Sequence, residues 1–131
     1  MITEDYVSFE VAKLLKAKGF DEATYHDYNE KGTRWFEEVL VQHNSKGGIA
    51  CPTLQMAMKW LREVHNKIIV PGISLDDRTS STINHYNVGI WYVPKNNGGA
   101  FCYTSPTPYN GYPSFEEACE SGIRYCLENL I

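Results

Sequence analysis

Val7, Val11, Leu14 and Leu15 recur at helical spacing, which gives their segment one apolar face and one polar face. Ser8 can cap the start, and Gly19 followed by Phe20 matches a left-handed C-terminal cap with its apolar contact. A helix is therefore predicted over residues 8–18. The period then changes. Residues 24–28 alternate, residues 29–33 carry turn chemistry, and residues 34–42 are rich in aromatic and branched side chains, so a β-hairpin is expected. Asn44, Ser45, Lys46, Gly47 and Gly48 form a loop that ends at Ile49-Ala50-Cys51-Pro52. There the proline suits the first position of a second helix and Cys51 its capping position.

Leu54, Ala57, Met58, Leu61 and Val64 form the stripe of that second helix, and Met56 and Trp60 widen it enough to imply burial on more than one side. Ile68-Ile69-Val70 reads as a short buried strand that Pro71-Gly72 breaks or bends, and residues 75–81 as a polar connection. A longer strand is expected over 85–93. Its Tyr86, Val88, Ile90 and Tyr92 should face the helices, and His85, Asn87, Gly89, Trp91 and Val93 should point away. Residues 94–99 form a turn cluster and 100–104 the returning antiparallel strand, followed by a proline- and tyrosine-bearing loop at 105–113. Ser114-Phe115-Glu116-Glu117 is a capping box, opening a third helix with the stripe Phe115, Ala118, Cys119, Ile123, Cys126, Leu127 and Leu130. This order predicts one α+β domain over residues 1–131, an antiparallel sheet of four to five strands with three helices packed mainly on one face.

Three stretches carry a resemblance: Tyr6 to Leu15, Pro52 to Glu63, and Tyr125-Cys126-Leu127-Glu128. They resemble a family of small proteins, with no assigned activity, carried in many copies by gut-bacterial genomes, their phages and other mobile elements. The resemblance implies a cytoplasmic accessory protein and carries over no catalytic residue.

Size and charge narrow the function classes. A chain of 131 residues can bury roughly two-thirds of its unfolded surface and needs no metal or disulfide staple. The net charge of −4, with basic residues scattered singly, argues against nucleic acid and against an anionic membrane surface as partners. No apolar run reaches membrane length, and the opening Met1-Ile2-Thr3-Glu4-Asp5-Tyr6 lacks the basic-then-apolar order of a signal peptide, so a cytoplasmic protein is expected. Cys51, Cys102, Cys119 and Cys126 form no C-x-x-C pair and are expected as thiols.

Candidate chemistry is sparse. The sharpest enzymatic alternative is a cysteine hydrolase with Cys51 at a helix start as nucleophile and His85 on the following strand as base. That order is similar to papain-like cell-wall peptidases, in which the histidine directly precedes a Val-Gly-Ile run. Here Tyr86 and Asn87 intervene, displacing His85 by about 7 Å along the strand. Ala50-Cys51-Pro52-Thr53 also replaces the Asp-Cys-Ser-Gly signature. Cys119 and Cys126 lie two turns apart on an apolar face and read as core, and His26, His43 and His65 fall on separate elements, so no metal site is expected. The adjacent carboxylates Glu4-Asp5, Glu37-Glu38, Asp76-Asp77 and Glu116-Glu117 diverge and form no acid/base pair. Gly47-Gly48 and Gly98-Gly99 lack a phosphate-cradle frame, and no cofactor is expected.

Aromatic residues are 13%, with nine Tyr and three Trp. Trp91, Tyr103, Tyr109 and Tyr112, on a strand face pointing away from the helices and on the adjoining loop, would make rigid anchors for a protein partner or for self-association. The leading expectation is thus a non-enzymatic accessory protein that acts by association. A small-ligand module with an apolar cavity beside the second helix is a further alternative.

Overall fold

The computed structural model describes residues 2–73, 85–94 and 98–131. The predicted connection at 75–81, with Asp76 and Asp77, and the part of the turn at 95–97 lie outside the described residues.

Helix α1 (Phe9–Ala17) starts where expected, with Ser8 Oγ accepting from the Val11 N–H at 3.3 Å. It ends at Gly19, whose φ of +93° is open only to a residue without Cβ strain, and the Phe20 N–H then returns to the Leu15 carbonyl at 3.0 Å. Val11, Ala12, Leu15 and Phe20 are buried by this arrangement. Strands β1 (Thr24–Tyr28) and β2 (Arg34–Val41) form the expected hairpin. A two-residue strand, β3 (Ile49–Ala50), takes the other edge of β1 and makes the sheet order β2-β1-β3.

Helix α2 (Leu54–His65) is capped by Thr53, whose Oγ1 accepts from the Met56 N–H at 3.1 Å. The Cys51-Pro52 pattern predicts the cap two residues earlier, at Cys51. The threonine hydroxyl is the better acceptor for a helix N–H, so the helix begins two residues later and Cys51 is left in the preceding connection. The second sheet comprises β4 (Lys67–Ile73), β5 (Tyr86–Tyr92) and β6 (Cys102–Thr104), all antiparallel, in the order β4-β5-β6. Helix α3 (Phe115–Tyr125), capped by Ser114, runs on into a five-residue π-type turn, Cys126–Leu130.

Two further expectations are corrected. The strands form two three-stranded sheets in place of one sheet of four or five. One apolar cluster, in which Val11, Leu15, Leu61, Ile123 and Leu127 are all buried, fills the space between the sheets and also takes in Cys51 beside the first and Ile90 from the second. Pro71-Gly72 does not end β4, because Pro71 pairs with Val88, and the Val88 N–H turns away from β4 to donate to Thr107 Oγ1 at 2.9 Å. Pro71 thus occupies a position whose missing N–H would face the open edge.

Helix and sheet approach closely at Gly122 of α3, where an added Cβ would lie 2.8 Å from Val88 Cγ2 and 3.0 Å from Ile69 Cγ2. Both neighbours are stiff branched side chains. Gly122→Ala is therefore expected to destabilise the fold by about 1–2 kcal/mol, the strain exceeding the roughly 1 kcal/mol gained in helix propensity. Urea denaturation checks it, and an unchanged or raised midpoint would mean that α3 does not pack this closely.

Candidate functional site

Alternation along β5 puts Val88 and Ile90 into the core and sends Trp91 outward, 45% exposed. Trp91 stands opposite Ile68 on β4 and opposite Tyr103 on β6, so the three side chains make one row across the sheet. The Trp91 and Tyr103 rings are tilted at 53° with centroids 4.9 Å apart, and Tyr103 is 55% exposed. In the next row Val70 faces Gly89, whose missing side chain leaves room for the Tyr103 ring to lie over it: a Cβ there would sit 2.8 Å from Tyr103 Cζ. Gly72 and Asn87 follow, with Asn87 Nδ2 donating to the Ile73 carbonyl at 2.9 Å. Among the described residues these rows carry apolar and amide side chains and no charge.

The loop beyond β6 is fastened to β5 by hydroxyls. Ser105 Oγ donates to the Val88 carbonyl at 2.7 Å, and Thr107 Oγ1 receives the Val88 N–H. Tyr112 exchanges two backbone bonds with Tyr86, at 2.7 and 2.9 Å, and its hydroxyl lies 2.5 Å from Ser121 Oγ on α3. Of the four predicted anchors, then, Trp91 and Tyr103 are brought together on the open face. Tyr109 stands 92% exposed at the tip of the loop turn, and Tyr112 is half-buried and engaged within the fold. Nothing in the local sequence distinguishes Tyr112 from Tyr109, since its partner Ser121 comes from another element.

Cys51 and His85 belong to different parts of the structure. The Cys51 N–H donates to the His26 carbonyl of β1 at 2.9 Å, its thiol reaches the Val7 carbonyl at 3.7 Å, and the residue is 1% exposed. Burial pushes the thiol up from its ordinary value to about 11, the opposite of what a nucleophile needs. His85 is half-buried immediately before β5, in the second sheet. Among the described residues no hydrogen bond or ion pair joins it to Cys51. Two of the other imidazoles are built into the first sheet and its loop. His26 lies between the Tyr6 and Phe36 rings, its pKa lowered chiefly by burial and then by the Arg34 charge. His43 contacts the Thr24 carbonyl at 3.2 Å and Asp27 Oδ2 at 3.8 Å.

Shallow grooves run along α2. One of about 420 Å³ is lined by Leu54, Met58, Phe115 and the acidic Glu4, Asp5 and Glu116. A second of about 410 Å³ shares Gln55, Met58 and Phe115 with it and continues to Lys59, Arg62, Ile69 and Pro71. Neither holds a convergent set of polar groups of the kind that orients a small ligand. Among the described residues no helix is long and apolar enough to cross a membrane, and no group of three or more His, Cys, Asp and Glu side chains could hold a metal ion.

Sequence reasoning missed one feature. Strand β2 is exposed from Arg34 to Leu40, and Trp35, Phe36, Val39 and Leu40 are each more than half exposed. The adjacent pairs Trp35-Phe36 and Val39-Leu40 were the available signal, since neighbours on a strand lie on opposite faces and one covering layer cannot bury both.

The thiols give two checks. Cys51, Cys119 and Cys126 are buried and Cys102 is half-exposed, so a thiol reagent at neutral pH should label Cys102 first. Cys102→Ser should abolish that fast phase, and a fast phase surviving it would contradict the burial. Burial also raises the Cys119 thiol to about 11 and the Cys126 thiol to about 12. A thiol whose folded pKa is raised stabilises fully below its ordinary value of 9.0, and that stability is lost as pH rises through the folded value. The denaturation midpoint should therefore fall between pH 9 and 11, and a level midpoint across that window would overturn the assignment. No family model, no curated protein and no solved structure matches the chain, so what the site does has to be read from these side chains.

Proposed function

We propose that the protein works by binding another protein through the outer face of the β4-β5-β6 sheet, with Trp91 and Tyr103 as anchors, and that it is not an enzyme. The observation that carries the reading is the uncharged row Ile68, Trp91, Tyr103, exposed across three strands whose other face rests on α2 and α3. With Val70 and Phe101, two residues before Tyr103, the face leaves on the order of 400 Å² of apolar surface in water, the size of the largest apolar patch of a typical monomer, which is often functional. Covering it would return on the order of 10 kcal/mol before the costs of association. Paired aromatic rings on a sheet are rigid, so little side-chain entropy is lost when a partner closes over them. The three stretches resembling mobile-element proteins favour a cytoplasmic accessory role for that binding.

Affinity capture with the wild-type chain, compared with the Trp91→Ala/Tyr103→Ala double variant, tests this. The expected result is a protein retained by the wild type and bound at least about tenfold more weakly by the double variant. Gly89→Ala should weaken the same partner by displacing the Tyr103 ring while leaving the denaturation midpoint nearly unchanged, since an exposed ring can swing aside. Equal retention by wild type and double variant would remove the sheet face from the binding site.

A further inference from the structure

We infer that the free edge of β2 pairs antiparallel with β2 of a second copy of this chain, with Phe36 on the two-fold axis. This surface is separate from the Trp91 face. Among the described residues β2 is the outer strand of its sheet, eight residues long, and Phe36 is 64% exposed.

The hairpin loop determines which backbone groups reach the open edge. The Asn29 N–H donates to the Thr33 carbonyl at 2.9 Å and the Gly32 N–H to the Asn29 carbonyl at 3.0 Å, so residues 29 and 33 are a hydrogen-bonded pair. Bonded and non-bonded pairs alternate along an antiparallel ladder. Asp27 and Trp35 are then bonded to each other, whereas Arg34, opposite Tyr28, and Phe36, opposite His26, direct their N–H and C=O groups away from β1. These outward groups are the ones a second strand would meet.

Charge selects the partner and the register. In a two-fold antiparallel pairing each residue faces one on the same side of the sheet, so the axis passes through a single position. An axis at Glu37 or Glu38 sets identical carboxylates directly opposite each other, which is repulsive. An axis at Phe36 sets Arg34 opposite Glu38 twice, Trp35 opposite Glu37 twice and Phe36 against its own copy. Charges and a bulge on an edge strand normally deter pairing with an arbitrary strand. Here β2 has both, since Thr24 pairs with Val41 and His26 with Phe36, leaving residues 37–40 to swing out from β1. The charges that deter a foreign strand are compensated when the strand meets itself, because Arg34 finds its complement in Glu38, four residues away.

Sedimentation equilibrium of the full chain as a function of concentration tests the pairing. The wild type should move from 14.9 kDa toward twice that mass as concentration rises to about 0.5 mM, as expected of a weak interface. Glu38→Arg sets like charges opposite twice and Arg34→Glu does the same with the other sign, so each alone should weaken the dimer at least about tenfold. Mixing the two variants creates complementary pairs and should restore a mixed dimer. Phe36→Pro removes an N–H that β1 does not use, and should give a folded monomer by circular dichroism; it serves as the independent variant if Arg34→Glu, which also loses the Arg34 contact with the Tyr6 ring, fails to fold. A wild type that stays monomeric overturns the inference. So does a dimer unaffected by Phe36→Pro and Glu38→Arg, and one lost with Trp91→Ala/Tyr103→Ala would place the contact on the other sheet. The partner binding proposed for the Trp91 face stands or falls independently of these results.

Discussion

The peptide groups of Val7 are satisfied by the segment that leads into α2 and by sheet one. The Val7 N–H donates to the Pro52 carbonyl at 3.1 Å, and its carbonyl accepts from the Tyr28 hydroxyl at 2.6 Å and, more weakly, from the Cys51 thiol. Just before it, the Asp5 carbonyl accepts from the Leu54 N–H at 3.0 Å, and Tyr6 bridges to Thr53. The Cys51 N–H binds the His26 carbonyl of β1. The start of the chain, the first sheet and the entry of α2 are thus held at one crossing, and α1 leaves from it with Ser8, whose N–H is taken by Glu120 of α3. Burying a strand of backbone without such partners would cost about as much as the packing returns, which is why the backbone groups at this crossing are bonded to one another.

The crossing also accounts for the burial and the raised pKa of Cys51. A cysteine before a helix reads in sequence as an activated nucleophile. In the fold its thiol is one of two donors to a carbonyl deep in the crossing, and Thr53 holds the cap. The cysteine does a small apolar residue's work, and its raised pKa is a consequence of that position.

Local rules made much of the fold legible. The caps at Ser8 and Ser114 and the glycine stop at Gly19 depend on a few neighbouring residues, and each appears where its pattern predicts it. The alternation of β5 correctly separates Val88 and Ile90 from Trp91, because strand geometry alone sets the face. Which strands share a sheet is not local. The pairing of Ile49–Ala50 with β1 depends on Asn44, whose side chain binds both the Phe20 carbonyl and the Ala50 N–H and so folds the intervening loop back. Tyr112 escaped for the same reason, since its place depends on Tyr86 and Ser121, far from it in sequence or on another element.

Two apolar surfaces remain after the core is assembled, and they differ in kind. The rows of the second sheet's outer face are uncharged among the described residues and braced from behind by two helices, so a partner of the proposed kind would gain contact area there with little reorganisation. The hairpin strand has apolar side chains on both faces and, among the described residues, no strand on its outer edge, with charges between them. Covering one of its faces leaves the other wet and the edge unmet, whereas adding a strand satisfies the edge and gives both faces neighbours at once. The same eight residues could not do this by folding onto their own core: Gly32 already lies against Phe9 of α1, the β1 edge opposite β2 is taken by β3, and His26 and Tyr28 occupy the space beneath. What the core has no room to bury must be buried between molecules or stay exposed, and the charge order along β2 favours a second copy over any other strand.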